Sequence, residues 1–500
     1  MAILAVTLML ASAAVILAPS ESDAVQNFGA NAVPGSPADY SDARLWILGN
    51  ANGDMVIDSK DIEIINDAIA KKATVEQAPM CDANNDKAIT ADDVEFVESL
   101  IDGTAVYVNY YNVDGKICEF YVYEKINAVA LHRCVVRSAT VLANFDNDVK
   151  IVGMDSSPYG EIEFNVSKNY PGVENVGVIK EMDSEKFASL QSKYMKTDDE
   201  CLVILIGTVD YYLNNLETWA ENYDYQVIRM PTWEHHPTEG ILTTAYLFAG
   251  VGNNNDRNDD TCWNHALKYG DWAFKYLDKI EEQSSKLKED DKMKILGIYT
   301  TTVNYEHTDQ TRGPKSGDYE NYAACGGNNI ATRFGPASNQ AWTMENIASY
   351  CKDLDVLVLM SANCFSEKSF NVNDDMKELT EKMNGYVKKG CKVYAMTWAL
   401  NGAPFVVQMA YYAHVLMPDN KEISSMNVTD AWNEYLKLVG WDKRTDISFD
   451  LNKVCSSLTD PGVTTIGDDE GGSIDMTMVI GAVVALVLII AVVFFVVKKR

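Results

Sequence analysis

The sequence has few basic residues and none of the short motifs that mark the common catalytic sites. Lysine and arginine number 42 against 72 aspartate and glutamate residues, which gives a formal net charge of −30 at pH 7. Such a surplus of negative charge repels phosphate backbones, so nucleic-acid binding is excluded as a main function. No Gly-x-Ser-x-Gly, phosphate-binding loop, His-Glu-x-x-His or pair of carboxylates rises above background. We therefore predict a binding protein and not an enzyme.

Cysteine is present but carries no recognisable pattern. Ten cysteines are scattered along the chain without a Cys-x-x-Cys pair. This spacing excludes a zinc ribbon and a small disulfide scaffold. Some of the cysteines would pair in an oxidising compartment, but their spacing leaves the pairing open.

Both ends of the chain are apolar. Residues 2–18 form a run that is short for a spanning helix and resembles an export signal without its usual positive start, so we predict a signal peptide or N-terminal anchor at 1–24. Residues 476–497 are uncharged and long enough for the hydrocarbon core of a bilayer, and the basic tail 498–500 follows. We therefore predict a single-pass C-terminal membrane anchor, with the bulk of the chain outside the cytoplasm.

Two short segments place oxygen-bearing side chains at the spacing of an EF-hand-like calcium loop that leads into a helix. Loop positions 1, 3, 5, 9 and 12 are Asn50, Asn52, Asp54, Asp58 and Asp61 in the first segment and Asp82, Asn84, Asp86, Thr90 and Asp93 in the second. Position 7 of such a loop contributes a backbone carbonyl, here from Val56 and Ala88. Because the pattern occurs twice, we predict calcium as a structural cofactor.

Together these segments, over 48–102, resemble a type I dockerin, the calcium-stabilised module that binds cohesins. The resemblance implies a small helical domain at 44–103, preceded by a linker at 25–43. The chain departs from the family at position 6, usually glycine, where it has Met55 and Lys87. A side chain there resists the sharp turn of the loop, so weakened calcium binding is expected, above all in the second loop.

The rest of the chain repeats one pattern on either side of a long amphipathic segment. Over 105–255 and again over 291–455, short strands rich in Val, Ile and Leu alternate with amphipathic helices, which predicts parallel sheets covered on both faces. Between them, residues 261–289 have apolar side chains at spacings of three and four and predict one long helix. We therefore predict an α/β protein of two Rossmann-like lobes joined by a connecting helix within 256–290, with a tether at 456–475 leading to the membrane.

Short motifs follow one another along both lobes in a recognisable order. They are Asn-Ala-Val-Ala-Leu at 127–131, Ser-Ala-Thr at 138–140, Val-Lys-Ile-Val-Gly-Met-Asp at 149–155, Val-Gly at 176–177, Ala-Pro-Phe at 403–405 and His-Val-Leu-Met-Pro at 414–418. In this order they resemble the class III substrate-binding proteins of ABC importers, the siderophore and cobalamin type, over 105–445. The resemblance implies a ligand held between two lobes, and it predicts an iron complex (siderophore or haem-like) or a corrinoid as ligand and an ABC permease as partner.

Polar and aromatic side chains follow several of the predicted strands, at the edge where open α/β sheets bind ligands. The candidate ligand-binding residues are His132, Arg133, Tyr159, Trp233, His235, His236, Tyr305, Trp398 and Asn401. Arg133 would suit an anionic group and Trp398 a flat ligand; the alternatives are a surface ion pair and wall packing. Adjacent residues of an extended chain point in opposite directions, so at most one of His235 and His236 is expected to face the cleft.

One glutamate in each lobe matches the permease-docking residues of the resembled family. Glu185 and Glu345 each stand at the start of a predicted helix that precedes a buried strand. The alternative is that each is favoured by the helix dipole, with Ser184 and Thr343 as helix caps. The matching positions in two lobes favour docking.

Two functions stay open and do not exclude each other. The first is a membrane-anchored solute-binding protein that delivers its ligand to a permease. The second is a cell-surface interaction protein attached to a cohesin-type partner through the calcium loops. Partner choice in dockerins resides at loop positions 10 and 11, here Ser59-Lys60 and Ala91-Asp92. Because the two pairs differ, a symmetric dual mode of cohesin binding is not expected.

Overall fold

The structure is a computed structural model of the chain. It describes residues 33–142, 149–159, 163–178, 183–207, 216–231, 236–259, 261–300, 310–312, 317–336, 339–341, 343–361, 372–456, 458 and 464–466. The predicted signal or anchor at 1–24, the transmembrane helix at 476–497 and the tail at 498–500 lie outside the described residues, as does most of the tether. Among the helices that are described, none has the length and apolar character needed to cross a membrane.

Each calcium-loop segment leads into a capped helix, α1 (Ser59–Lys71) and α2 (Ala91–Asp102). In both helices the N-cap side chain and the side chain three residues later exchange hydrogen bonds with each other's backbone, the reciprocal arrangement called a capping box. Position 9 of each loop is the N-cap and position 12 is its partner. The residue pattern that predicted calcium ligands therefore also starts the helices. We call residues 44–103 the calcium-loop module.

A β-hairpin, β1 (Tyr107–Tyr111) and β2 (Ile117–Tyr121), joins the module to the lobes. Strand β1 lies between β2 and the module, because Leu48 donates to the carbonyl of Asn109 and Tyr111 donates to the carbonyl of Trp46, each at 2.9 Å. The segment around Trp46 is thus held as a short extended run beside the hairpin.

The first lobe is built on a five-stranded parallel sheet in the order β5-β4-β3-β6-β7. Its strands are β3 (Lys125–Ala130), β4 (Val149–Met154), β5 (Glu174–Asn175), β6 (Glu200–Ile206) and β7 (Gln226–Arg229). Its helices are α3 (Arg133–Leu142), α4 (Ser156–Tyr159), α5 (Val166–Asn169), α6 (Ser184–Tyr194), α7 (Leu216–Glu221) and α8 (Pro237–Ala249). Ile126 and Ala128 of β3 pack into one hydrophobic core and Val129 into another, so the sheet is covered on both faces as predicted.

The connecting helix α9 (Cys262–Ser284) has 23 residues and Thr261 as its N-cap. At 1.5 Å per residue it spans about 35 Å. It ends five residues before the predicted boundary, because the hydroxyls of Ser284 and Ser285 bond back to the carbonyls of Glu281 and Glu282 and so compete with continuation of the helix. Both lobes pack against it, and it also buries polar residues that lay outside the predicted apolar stripe.

The second lobe has a mixed sheet in the order β11-β9-β8-β12-β13-β14, with β10 also paired to β8. Its strands are β8 (Met293–Thr300), β9 (Gln310–Arg312), β10 (Gly327–Asn329), β11 (Asn339–Ala341), β12 (Val356–Ser361), β13 (Lys392–Thr397) and β14 (Thr464–Thr465). Its helices are α10 (Gly317–Ala324), α11 (Met344–Tyr350), α12 (Val372–Met383), α13 (Phe405–Leu416), α14 (Lys421–Ser424) and α15 (Val428–Leu438). The central strands β8, β12 and β13 are parallel, as predicted, and the antiparallel edge strands are an addition.

One hydrophobic core runs through the calcium-loop module, the hairpin, α9 and one face of each sheet. Polar contacts reinforce it at the surface, where Arg44 makes a forked ion pair with Asp278 of α9 at 2.8 Å and lies over the ring of Phe274. Gly103 and Gly252 approach so closely that a Cβ on Gly252 would lie 2.6 Å from the Cα of Gly103. The calcium-loop module is therefore built into the lobes.

Candidate functional site

The carboxyl ends of the parallel strands bring together several of the predicted ligand-binding residues. His132 and Arg133 follow β3, and Trp398 and Asn401 follow β13 of the other lobe. Helix α3, which Arg133 begins, packs against the segment that carries Trp398: Arg137 donates to the carbonyl of Trp398 at 2.9 Å. The structure thus brings the segments that carry these four residues together at the boundary between the lobes, and we call this boundary the cleft.

Gly402 makes this close approach of the lobes possible. Its φ is +82°, and a Cβ built there would lie 2.5 Å from the carbonyl oxygen of Cys134 in α3. Any other residue would be strained in the backbone and would push α3 away. At this edge the two lobes therefore touch at their backbones.

A buried aspartate organises the first wall of the cleft. Asp155, directly after β4, accepts from the backbone of His132 at 2.7 Å and of Ser157 at 3.3 Å, and Ser157 accepts from the guanidinium of Arg133 at 3.2 Å. Burial, with the charges of Arg133 and Arg137, lowers the pKa of His132 to about 3, so its imidazole is neutral. The Nδ1 atom of His132 accepts from the backbone of Cys134 at 3.4 Å. In that tautomer Nε2 carries the proton, and this wall holds a neutral imidazole beside a cation.

The second wall of the cleft is flat and aromatic. Tyr299, near the end of β8, stacks on Trp398 with ring centroids 4.9 Å apart and planes 5° from parallel. Thr397 caps the short 3-10 turn that presents Trp398 and Asn401. The indole Nε1 of Trp398 and the Oδ1 of Asn401 are buried, and neither has a hydrogen-bond partner among the described residues. Buried polar atoms without partners are costly, so this pair favours a ligand with an acceptor and a donor at matching places.

His236 lies where the calcium-loop module and both lobes meet. Its Nδ1 is 3.1 Å from Oε1 of Glu239, and its ring makes an edge contact with Trp46. Burial alone would lower the pKa of His236, but the hydrogen bond and charge of Glu239, with the charges of Glu320 in α10 and Asp42, raise it above its usual value. The second oxygen of Glu239, Oε2, is buried and has no partner within the described residues. This acidic corner adjoins the cleft, because Tyr269 of α9, whose pKa is raised by burial and by the charge of Glu239, donates to the carbonyl of Ala403 at 2.8 Å.

Four predicted ligand-binding residues cannot be placed in the cleft. Trp233, His235 and Tyr305 lie outside the described residues. Tyr159 ends the short helix α4, after the strand that leads to Asp155.

Sequence reasoning missed Asp155, Glu239 and Trp46 as residues of the site. Asp155 had a usable signal, because it ends the predicted strand 149–155 at the ligand-binding edge. Glu239 sits inside a helix pattern, and Trp46 lies in a segment assigned to another domain. Their positions near the cleft depend on long-range packing.

The two calcium loops share one backbone design. In the first, Asn52 accepts from the backbone of Asp54, Asp54 accepts from that of Val56, and Asp61 accepts from the backbones of Asn52 and Asp58. The second loop repeats these bonds through Asn84, Asp86 and Asp93 at the same loop positions. Such turns gather side-chain and carbonyl oxygens around one centre.

The residue at position 1 of each loop indicates whether the loop can accommodate a cation. Asn50 and Asp82 are 0% and 1% exposed, and in each the Oδ1 atom is buried without a hydrogen-bond partner in the described part of the chain. Burial raises the pKa of the Asp61 carboxyl to about 7, and the nearby charges of Asp54 and Asp58 act in the same direction. A cation there would stabilise the ionised carboxylate. The oxygen set of both loops therefore fits calcium.

The acidic side chains do not form a metal cluster by themselves. Across the residues that the structure describes, no three His, Cys, Asp or Glu side chains converge as a metal site. The loops depend as well on asparagine and main-chain oxygens, which calcium accepts.

Position 6 differs between the loops in a way that the sequence did not indicate. Lys87 adopts the left-handed conformation, φ +75°, and its backbone N–H donates to Asp82 at 3.2 Å. Met55 stays outside the left-handed region. A Cβ placed on Gly270 of α9 would lie 2.8 Å from the sulfur of Met55, so this side chain packs the first loop against the connecting helix. The second loop makes the usual turn despite its lysine.

Glu185 and Glu345 are both exposed in the first turn of a helix, α6 and α11, and these helices precede β6 and β12 as predicted. Thr343 caps α11 as predicted, but Ser184 does not cap α6. Asp183 does, by accepting from the backbone of Lys186 at 3.2 Å. An aspartate can accept this bond as well as a serine.

Comparison with family models and with curated proteins finds no match for the chain. Among solved structures, the TroA-like periplasmic binding protein FepB from Veillonella parvula is similar at a TM-score of 0.51 and 14% identity, over 68% of this chain and 97% of that one. Ceue from Helicobacter pylori with Ni(II) bound has a TM-score of 0.44 at 14% identity, over 68% and 98% of the two chains. The heme-binding protein HutB of Vibrio cholerae has 0.37 at 12%, over 63% and 98%. The similarity to FepB confirms the predicted two-lobed α/β fold.

Proposed function

We propose that this chain is a membrane-anchored, extracytoplasmic solute-binding protein of an ABC importer. It captures an iron complex (siderophore or haem-like) or a corrinoid and delivers it to a permease, without catalysing a reaction. The observation that carries the proposal is that Trp398 Nε1 and Asn401 Oδ1 are buried without partners in the described residues, in a segment that packs against the helix begun by Arg133.

The chemistry of the two walls favours a flat ligand with an anionic edge. Stacked aromatic rings offer a broad surface for a conjugated or macrocyclic face. A guanidinium pairs well with carboxylate or phosphate groups. Neutral His132 adds a donor without a second charge. Haem combines a flat ring with anionic propionates, a corrinoid combines a macrocycle with a phosphate, and a ferric catecholate siderophore combines aromatic rings with net negative charge.

A panel of ligands tests the proposal. The full-length chain in mild detergent is titrated with haemin, cyanocobalamin and the anionic catecholate ferric enterobactin, and binding is followed by quenching of tryptophan fluorescence. We expect saturable binding of at least one probe at one molecule per chain. Replacing Trp398 with leucine should weaken that binding about tenfold, since a lost stacking contact is worth about 1 kcal/mol or slightly more. Trp219→Leu, in an aromatic cluster beneath Phe187 of the first lobe, is the control. Absence of binding by all three probes would contradict the proposal.

Membrane attachment is the second part of the proposal. Residues 476–497 would span the bilayer once and the basic tail 498–500 would lie in the cytoplasm, which places both lobes outside. The acidic balance of the chain suits an exposed extracytoplasmic surface.

Calcium is proposed as a structural cofactor of both loops. The support is that the two position-1 oxygens, Asn50 Oδ1 and Asp82 Oδ1, are buried without partners at equivalent places. Asn50, Asn52, Asp54, Val56, Asp58 and Asp61 would hold one ion, and Asp82, Asn84, Asp86, Ala88, Thr90 and Asp93 the other. The ion would supply positive charge that offsets the gathered carboxylates.

A cohesin-type partner remains the second candidate function, and one observation favours it. The partner-choice residues of both loops, Ser59, Lys60, Ala91 and Asp92, are exposed although the module is packed against the lobes. A pull-down with a purified type I cohesin in calcium and in chelator tests this role. Equal recovery in both conditions, or none in either, would remove it.

Permease docking through Glu185 and Glu345 is proposed for delivery. We expect the double variant Glu185→Lys/Glu345→Lys to bind its ligand with unchanged affinity and to lose most uptake by cells that produce it. Exposed charges act mainly on association with a partner, so the loss should grow smaller as salt screens the interaction. Glu221→Lys/Glu381→Lys is the control, because it makes the same change of charge at exposed sites away from helix starts. Normal uptake by the first variant would refute docking.

A further inference from the structure

The side chain of Asn50 connects the first calcium loop to the segment that precedes it. Its Nδ2 donates to the carbonyls of Leu45 and Asp54, each at 2.8 Å. Its Oδ1 is buried and has no partner among the described residues. Since both donors of the amide are used, the group cannot rotate without breaking them. The atom offered to calcium and the atom that holds Leu45 therefore belong to one rigid plane.

Trp46, the residue after Leu45, is fixed on both sides of its backbone. Its N–H donates to Thr243 Oγ1 of α8 at 2.9 Å, and its carbonyl accepts from Tyr111 of β1 at 2.9 Å. The backbone N–H of Arg44, two residues before Trp46, donates to the carbonyl of Gly53 inside the first loop, also at 2.9 Å. The indole is 3% exposed. Its position is thus set jointly by the first loop and the first lobe.

The ring of Trp46 supports His236 at the cleft. The two rings make an edge-to-face contact with centroids 5.9 Å apart. His236 is held in the left-handed conformation, φ +71°, directly before Pro237. A residue with a side chain is strained there, and it keeps such a conformation only when its surroundings enforce it. Trp46 on one side and Glu239 on the other provide that enforcement.

We infer that Trp46 is a positioning residue of the ligand cleft, and that calcium in the first loop, acting through Asn50, fixes Trp46 against His236. The inference rests on the proposed calcium binding and deepens it by assigning the two ions different tasks. The first ion sets the shape of the acidic corner of the cleft, where His236 meets Glu239 and the charge of Glu320. Removing calcium from the first loop loosens this corner.

The second loop provides a matched control within the same chain. Its position-1 oxygen, Asp82 Oδ1, is also buried without a partner in the described residues. Its link to the Trp46 segment is less direct, because the carbonyl of Ala83 accepts from Asn109 of β1 at 3.0 Å, two residues before the Tyr111 that donates to Trp46. Asp61 and Asp93 occupy position 12 of the two loops, are both 0% exposed and accept equivalent backbone bonds. Loss of calcium from either loop can therefore be produced by the same substitution.

The test compares Asp61→Asn with Asp93→Asn in the full-length chain labelled with 5-fluorotryptophan. Among the nine tryptophans, the fluorine resonance of Trp46 is identified by its loss in Trp46→Phe. Calcium binding is counted by equilibrium dialysis, and each single variant is expected to lose one of two ions. We expect calcium to shift the Trp46 resonance in the wild type and in Asp93→Asn, and to leave it unshifted in Asp61→Asn. His236→Gln should change the resonance in calcium and change it less in chelator.

The inference is overturned if Asp61→Asn and Asp93→Asn alter the calcium shift equally, or if the wild type binds calcium without any shift of the Trp46 resonance. Should Asp61→Asn fail to fold, Asp54→Asn and Asp86→Asn repeat the comparison at position 5, where asparagine keeps the Oδ1 acceptor of the backbone bond. This measurement uses no transported ligand, so it tests the inference even if the solute-binding proposal is wrong. If calcium does not bind at all, the dialysis will find no bound ion, and that result also overturns the inference.

Discussion

Replacing Glu163 with glutamine is expected to destabilise the folded chain by about 3–5 kcal/mol, because it strands a buried charge. Arg137 and Glu163 are both 0% exposed at their side chains, and they form a forked ion pair with bonds of 2.6 and 2.8 Å. A guanidinium cannot release its proton at accessible pH, so Arg137 would remain charged without its partner. The effect should reach the cleft as well, because Arg137 holds the carbonyl of Trp398.

Denaturant unfolding of wild type and variant measures this loss. Glu174→Gln is the control: it breaks the exposed pair that Glu174 forms with Lys193 at 3.0 Å, and such surface pairs contribute about 1 kcal/mol or less. The double variant Arg137→Met/Glu163→Met should recover much of the lost stability, because an apolar pair leaves no charge uncompensated. A loss for Glu163→Gln no larger than for Glu174→Gln would show that the pair is not buried in solution.

Chelation of calcium is expected to lower the stability of the lobes together with that of the calcium-loop module. An ion that binds only the folded state stabilises it by about 2.7 kcal/mol per site when present at a hundredfold excess over its Kd. The module shares one hydrophobic core with the lobes and touches α9 through Arg44 and Met55. Removing calcium from the loops should therefore lower the stability of the shared core as well, and the helix content of the chain should fall in chelator.

Thermal unfolding followed by circular dichroism and by tryptophan fluorescence, in calcium and in chelator, checks this expectation. Both probes should shift to lower temperature in chelator and return when calcium is added back, whereas magnesium should not restore them, because it demands a tighter octahedral site. A chelator-sensitive transition of the module alone, with the lobes unchanged, would mean that the two fold separately. No change in either probe would contradict calcium binding.

The fold could be predicted from the sequence wherever burial is periodic. Strands such as β6 and β12 are continuous apolar runs because both faces of a parallel sheet are covered, and α9 shows its apolar stripe at helical spacing. The end of α9 could not be predicted in this way, because the apolar pattern continues to Leu287 while two serine hydroxyls stop the helix at Ser284. Local hydrogen bonds there prevailed over periodicity.

The candidate site could be predicted only in part, for a related reason. His132, Arg133, Trp398 and Asn401 follow predicted strands, and the general rule for open sheets brings such residues to one edge. Trp46 has no such mark, since it approaches His236 through the packing of a separate module. Glu163 likewise lies in an irregular segment, and no periodicity shows that its carboxylate meets Arg137 inside the protein.

Hydrogen–deuterium exchange of the full-length chain, with and without a saturating probe from the panel of haemin, cyanocobalamin and ferric enterobactin, tests most directly whether a solute binds between the lobes. A ligand in the proposed cleft should slow exchange in both walls at once, around 131–134 and 155–157 in the first lobe and around 398–402 in the second. Exchange in the last turn of α12, which leads towards the amino end of β13 at the opposite edge of the sheet, should stay unchanged. Slower exchange in one lobe only, or only within the calcium-loop module, would contradict the account.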